Sequence, residues 1–354
     1  MQQVSFSTNK VWGWLATAYL VGVPCLWWKG LSQDNAQMIA WHLGTFLLFG
    51  MSLLCESKRT LKSPAFGFAL LLILASSLAH VRVNGYPMLP IHAFIGTLAV
   101  ACLATKALDA EWISRRVRWL FWINVGYALM QLKGWDPLFK GTDTGLWQNP
   151  GLFSMTNQLT ALLLVAVPFL GLPGRFLAAV LVVMYQSWTG IIGFLLWLGY
   201  REYQRSSFRI EVIVGWLALA CVAGSLLVSP TMWAQNVAPR IETWKQVVGL
   251  SLWNPLVGFG DTARNFSTDH AVSYCTYSVP FGAFYAAGIF GLFAVLALAW
   301  WMFKSKPSAQ KEAALLFAWA CLFQNSLDFP RMILLGCALL AALEIKNQEL
   351  NHES

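Results

Sequence analysis

The chain has 354 residues, 57% of them hydrophobic and only 11% charged, with a mean hydropathy of +0.56. That excludes an ordinary soluble domain, in which roughly a quarter of residues are charged. The net charge of +8, from 24 Lys+Arg against 16 Asp+Glu, does not indicate a nucleic-acid partner. The basic residues stand in short clusters between apolar segments, as membrane topology requires.

Apolar runs close to the roughly 20 residues that cross a bilayer lie at 11–28, 36–55, 64–80, 87–108, 117–132, 155–172, 175–200, 211–229, 280–303, 312–327 and 331–345. The first run lacks a small-residue cleavage site and reads as a retained span. The seven cysteines fall almost entirely inside these runs, without a CxxC pair, and read as small core residues. His42 and His92 lie within spans and have no ionisable partner at helical spacing.

Orientation follows from the connectors. Lys58, Arg59 and Lys62 after the second run, and Arg115, Arg116 and Arg118 before the fifth, belong on the cytoplasmic side, which places the N-terminus inside. A single span over 175–200 would then put Arg201, Arg205 and Arg209 outside. If the chain instead breaks at Gln186-Ser187-Trp188-Thr189-Gly190 and returns, these arginines stay inside. Each arm would have about 12 residues, or about 18 Å at 1.5 Å per residue, short for a core of about 30 Å. The expectation is a re-entrant or thin hairpin whose apex meets an external cavity, where protein or water satisfies the broken backbone. Lys304, Lys306 and Lys311 mark a further inner turn, Asp328-Phe329-Pro330-Arg331 a tight outer one, and the C-terminus is expected inside.

The expected fold is thus all-α, a polytopic transmembrane bundle of about 10–12 spans forming a single membrane domain over 1–354. Within it, 230–279 is the large external loop. The stretch Pro239 to Gly291 carries its chemistry. Pro239 suits the first position of a helix, and Ile241, Trp244, Val248 and Leu252 form an apolar stripe of an amphipathic helix expected to lie on the outer face. Arg240 shares a side with Trp244 and Val247, and so should face protein or headgroups. A cation in the first turn opposes the helix dipole by about 0.3–1 kcal/mol, a conflict that a bound anion removes. Lys245 and Arg264 are further cations.

Asn254-Pro255-Leu256-Val257-Gly258-Phe259-Gly260 reads as a turn that reverses the chain; it lacks the lysine and spacing of a P-loop. Asp261, Asp269 and His270 follow. His270 has the chemistry to deprotonate a hydroxyl near neutral pH, with either aspartate orienting it. Asn157 and Gln158 open the sixth run from the outer side, where polar groups are costly unless they face a cavity or a neighbour. No Asp-x-Asp stands on the outer side, so neither a metal nor a cofactor is expected.

From about 149 to 343 the chain resembles the O-antigen ligase and O-antigen polymerase superfamily, polytopic glycosyltransferases that use undecaprenyl-diphosphate-linked glycans. The resemblance rests on several pieces taken together. They are Gly151-Leu152-Phe153 with Asn157; the Ser187-centred break; Arg240 and Trp244 followed by Asn254-Pro255, Gly258 and Gly260; Gly288-Ile289-Phe290-Gly291; and Asn325-Ser326-Leu327-Asp328-Phe329.

The resemblance implies transfer of a glycan from a lipid diphosphate in the bacterial inner membrane, with lipid-linked oligosaccharide as donor and a glycan or glycolipid as acceptor. Arg240 matches the family's loop arginine. Trp188 stands where a second arginine is usual, and Tyr277-Ser278 where a His-Asn pair is usual. Either His270 takes the role of base or catalysis is altered or lost. Arg264, Lys245, Asn157, Asp261, Asp269 and Tyr277 are the candidate substrate-binding residues.

Three alternatives stand beside this expectation. A lipid-phosphosugar transferase would use Asp34 as base. A transporter or flippase is disfavoured by the near absence of mid-span charge and of internal repeats. A catalytically silent membrane partner remains consistent with the missing arginine.

Overall fold

The computed structural model describes residues 13–26, 33–54, 109–136, 151–153, 156–203, 237–260, 266–267, 272–273, 278–323 and 330–352, together with single helical positions between 67 and 81 and at 224. The described residues are almost entirely helical. In chain order the helices are α1 (Gly13–Cys25), with a π-turn over Ala18–Gly22, α2 (Gln33–Leu54), α3 (Ala110–Leu132), α4 (Thr156–Ala166), α5 (Leu172–Met184), α6 (Trp188–Tyr203), α7 (Ala238–Ser251), α8 (Val279–Lys304), α9 (Ala309–Phe323) and α10 (Pro330–His352). A two-residue antiparallel pair, β1 (Phe266–Ser267) and β2 (Val272–Ser273), precedes α8. The expected spans at 64–80, 87–108 and 211–229 lie largely or wholly outside the described residues.

Local chemistry accounts for the helix ends. Asp109 caps α3 by accepting the Trp112 amide. Proline stands in the first turn of α5, α7 and α8, where its fixed φ fits and its missing N–H costs nothing.

The largest core surrounds α4. Leu159 and every residue from Ala161 to Val167 are sealed, so α4 is apolar all round from Ala161 onward, as the inner part of a central helix must be. α3, α5, α6, α9 and α10 close over it. Among the described residues one helix, α8, is both long enough and apolar enough to cross a bilayer. Large apolar side chains are exposed in rows, at Ile39, Leu43, Phe46 and Leu47 on α2 and Ile289, Phe290, Phe293, Leu296 and Trp300 on α8, while Gln37, Asn124, Gln131, Gln158 and Arg331 are buried.

The expected break at Gln186 is present, and it is a full reversal. Val182 and Gly190 are each four residues from Gln186, and Arg175 and Trp197 each eleven. A Cβ on Gly190 would meet Val182, and the Arg175 guanidinium lies 5.3 Å from the Trp197 ring. α5 and α6 are therefore antiparallel arms pivoting about one residue. Gln186 adopts φ 50°, and Ser187, buried, caps α6 by accepting the Gly190 amide at 3.3 Å, the usual work of a serine at this position.

The open ends of the hairpin carry charge. Trp197 lies between Arg175 and Arg201, whose guanidinium is 5.2 Å from the ring, and its Nε1 donates to Glu312 at 2.7 Å. Lys306 and Lys311 sit at the same end of α9, donating to the carbonyls of Leu350 (2.7 Å) and Ser305 (2.9 Å).

α7 departs from the expected arrangement. Its buried face is Pro239, Arg240, Thr243, Val247 and Ser251, not the stripe of Ile241, Trp244, Val248 and Leu252; Leu252 is exposed. The helix does not lie alone on a surface. It runs alongside α8 in the same direction, with Trp244 against Phe281 and Val247 packed with Tyr285.

The turn after α7 does more than reverse the chain. α8 breaks at Ala287 and Gly288 (φ 59°, ψ −148°), and the strand of backbone from Pro255 to Gly260 enters the break. Phe259 N donates to Tyr285 O at 2.9 Å, Gly260 N to Ala286 O at 2.8 Å, and Ile289 N to Pro255 O at 2.8 Å. The carbonyls and amide freed by the kink are satisfied by this segment, as buried backbone groups must be.

The approach leaves no room for side chains. A Cβ on Gly258 would stand 2.5 Å from Gly288 N, and one on Gly288 would stand 2.5 Å from Leu256 C. Gly258→Ala and Gly288→Ala should each destabilise the protein, Gly288→Ala by at least about 1–3 kcal/mol from backbone strain alone. Gly249→Ala, with open space around its Cβ, should be neutral or stabilising by up to about 1 kcal/mol. Thermal unfolding in detergent measures the difference.

Candidate functional site

Arg240 is the centre of the candidate site. It lies in the first turn of α7, is only 8% exposed, and its Nη1 is buried. Its guanidinium carbon stands 5.7 Å from the ring of Trp188, the first residue of α6 after the hairpin apex. The charge is thus held at the closed end of the hairpin, the opposite end from Arg175 and Arg201.

Aromatic side chains from four helices surround this contact. Trp188 meets Phe323 of α9 edge-on at 4.9 Å. Phe323 in turn meets Trp319 at 4.8 Å and Trp244 of α7 at 6.2 Å, and Trp244 meets Phe281 of α8 at 5.4 Å. Trp319 Nε1 donates to Thr189 O at 2.9 Å, tying α9 to the apex. A desolvated cation–π contact contributes about 2 kcal/mol or more, so Trp188 orients the guanidinium as well as covering it. All five aromatics are half-buried, leaving apolar and π surface beside a cation. The arrangement suits an anion attached to an apolar or carbohydrate group.

The other predicted site residues are not assembled here. Lys245 points away and is exposed, as is Asn157. His270, Arg264, Asp261, Asp269 and Tyr277 lie outside the described residues, as does Asp34's side chain. Gly151-Leu152-Phe153 has a structural task. Gly151 N donates to Gln131 Oε1 at 2.9 Å and Leu152 N to Asn124 Oδ1 at 3.0 Å, and Phe153 is sealed, so the segment before α4 is fastened to α3.

Arg331 was read from sequence only as part of an outer turn, yet it is fully buried at 0% exposure. Its Nε donates to Gln158 Oε1, and its Nη1 to Gln37 Oε1 at 2.9 Å. Gln37 Nε2 continues the chain of bonds to Pro24 O at 2.7 Å. One guanidinium therefore ties the starts of α10, α4 and α2 to the end of α1. The one sequence signal was Gln158, a polar group at the opening of the sixth apolar run that calls for a neighbour. Hydrogen bonds to a charged group contribute about 1.5–3 kcal/mol, so Gln158→Leu should lower stability by about that amount, whereas Asn157→Leu should change it by less than about 0.5 kcal/mol; thermal unfolding of the two variants side by side checks this.

Compared with protein-family models and with curated proteins, the chain matches none.

Proposed function

We propose that the chain is a multi-pass membrane glycosyltransferase that moves a glycan from an undecaprenyl-diphosphate carrier to an acceptor hydroxyl on the outer side of the bacterial inner membrane, without a metal. The observation that carries this reading is the buried Arg240 guanidinium set on Trp188 at the hairpin apex. An oriented cation beside apolar and aromatic surface matches a lipid diphosphate, whose head is anionic and whose tail and glycan are not.

The topology agrees with such a site. Arg175, Arg201, Lys304, Lys306 and Lys311 lie at chain positions that the charge rule assigns to the cytoplasmic side, and both termini belong there. Arg240 and Arg331 belong to the other side. Exposed apolar rows on α2 and α8 with polar groups inside are the pattern of a protein solvated by lipid, since soluble proteins rarely expose large contiguous apolar patches.

In the reaction, the acceptor oxygen bonds to the anomeric carbon of the glycan while the bond from that carbon to the diphosphate oxygen breaks. The electron pair stays on the diphosphate, and the acceptor proton passes to His270. Arg240 stabilises the charge that develops on the leaving group, which an oriented donor does without reorganising at the moment of reaction. Its place in the first turn of α7 adds helix N–H groups to the same side.

Removing one oriented donor of this kind costs about 100- to 1,000-fold in kcat. Arg240→Ala, purified in lipid nanodiscs and given a lipid-linked glycan donor and its acceptor, should lose transfer to that extent at a temperature where it is still folded, its unfolding temperature being lowered by the lost contact with Trp188. Full activity in Arg240→Ala would sink the role. Transfer that survives in Arg240→Ala but not in Asp34→Asn would favour the phosphosugar transferase reading.

A further inference from the structure

We infer that the tip of α7 and the turn after it, Leu252 to Leu256, are immersed in the hydrocarbon of the outer leaflet, so that the segment between α6 and α8 is re-entrant and not a wholly aqueous loop. The inference rests on α8 as a membrane span and does not depend on transferase activity.

The first argument is the polarity of the tip. Ser251 and Asn254 are buried at 0% and 8%, whereas Leu252, Trp253 and Leu256 are exposed at 64%, 86% and 64%. A helix end facing water turns its polar residues outward. This one does the reverse, which is the arrangement of an element with protein on one side and lipid on the other.

The second argument is depth. The backbone bonds of Pro255, Phe259 and Gly260 pin the tip to α8 at Tyr285 to Ile289. From Lys304, where α8 ends beside Lys306, up to Gly288 is about 24 Å at 1.5 Å per residue. That falls short of the roughly 30 Å hydrocarbon thickness. With the Lys304 ammonium at the inner boundary, the kink and the tip fastened to it lie below the outer boundary.

The third argument is continuity. Ile289, Phe290 and Phe293 are exposed on α8 directly after the kink, so Leu252, Trp253 and Leu256 extend an apolar row belonging to the one described helix that qualifies as a span. The occupant of this surface is lipid acyl chain.

The test places an environment-sensitive NBD label at four positions of the full-length chain in liposomes, using Trp253→Cys, Leu256→Cys, Lys245→Cys and Phe293→Cys. The parent chain, labelled identically, supplies the background from the native cysteines. Label at 253 and 256 should lose its emission to nitroxide-bearing acyl chains as label at 293 does, and should resist a water-soluble quencher that acts on 245. Quenching from water at either 253 or 256, with 293 still lipid-quenched, overturns the immersion of the tip and leaves α8 a span. Quenching from water at 293 as well overturns both.

Discussion

The insertion of the Pro255 to Gly260 backbone into the break of α8 is the constraint on which the candidate site depends. A helix interrupted at Gly288 leaves carbonyls at Tyr285 and Ala286 and the amide of Ile289 without intrahelical partners, and inside a low-dielectric environment each such group costs several kcal/mol. The neighbouring segment answers all three at 2.8–2.9 Å. Because the bonds are backbone to backbone, α7 is held to α8 in a defined register, with Trp244 on Phe281 and Val247 on Tyr285. That register sets where the start of α7 stands, and so where Arg240 meets Trp188. The two glycine motifs, far apart in sequence, are the two halves of one joint.

The second constraint is the reversal at Gln186. A continuous helix over 172–203 would carry Trp188 through the middle of the structure. Reversal brings it to a closed end, where α9 supplies Phe323 and Trp319 and α7 supplies Arg240. Burial of a guanidinium normally demands compensation, because desolvating a charge costs more than most single contacts return. The contact with Trp188 and the surrounding aromatic side chains give Arg240 a fixed orientation.

Much of this was legible in sequence because the signals were local. Among the described residues, helix positions followed from apolar runs, the hairpin from a conflict between one long run and the charge rule, and the inward side of Arg240 from helical spacing. Three features were not. The buried face of α7 is rotated from the apolar stripe, with polar Thr243 and Ser251 facing protein and apolar Leu252 exposed, because its packing against α8 and not the stripe decides which side is covered. Arg331 was not recognised because its partners, Gln37 and Gln158, are distant in sequence and neither is a carboxylate, so no charge pairing announced it. The glycine joint was visible as two motifs, but nothing in a linear reading says that one backbone enters the other. The proposed base, His270, was reached by chemistry alone.

Arg240, held over Trp188 at the hairpin apex, is the group we propose to receive the diphosphate of a lipid carrier. An electron cryomicroscopy structure of the full-length chain in nanodiscs containing undecaprenyl diphosphate tests this most directly. Diphosphate density is expected within hydrogen-bonding distance of the Arg240 guanidinium, flanked by Trp188 and Trp244. Well-ordered density for the carrier elsewhere on the protein, with Arg240 closed off by its aromatic neighbours, would contradict it.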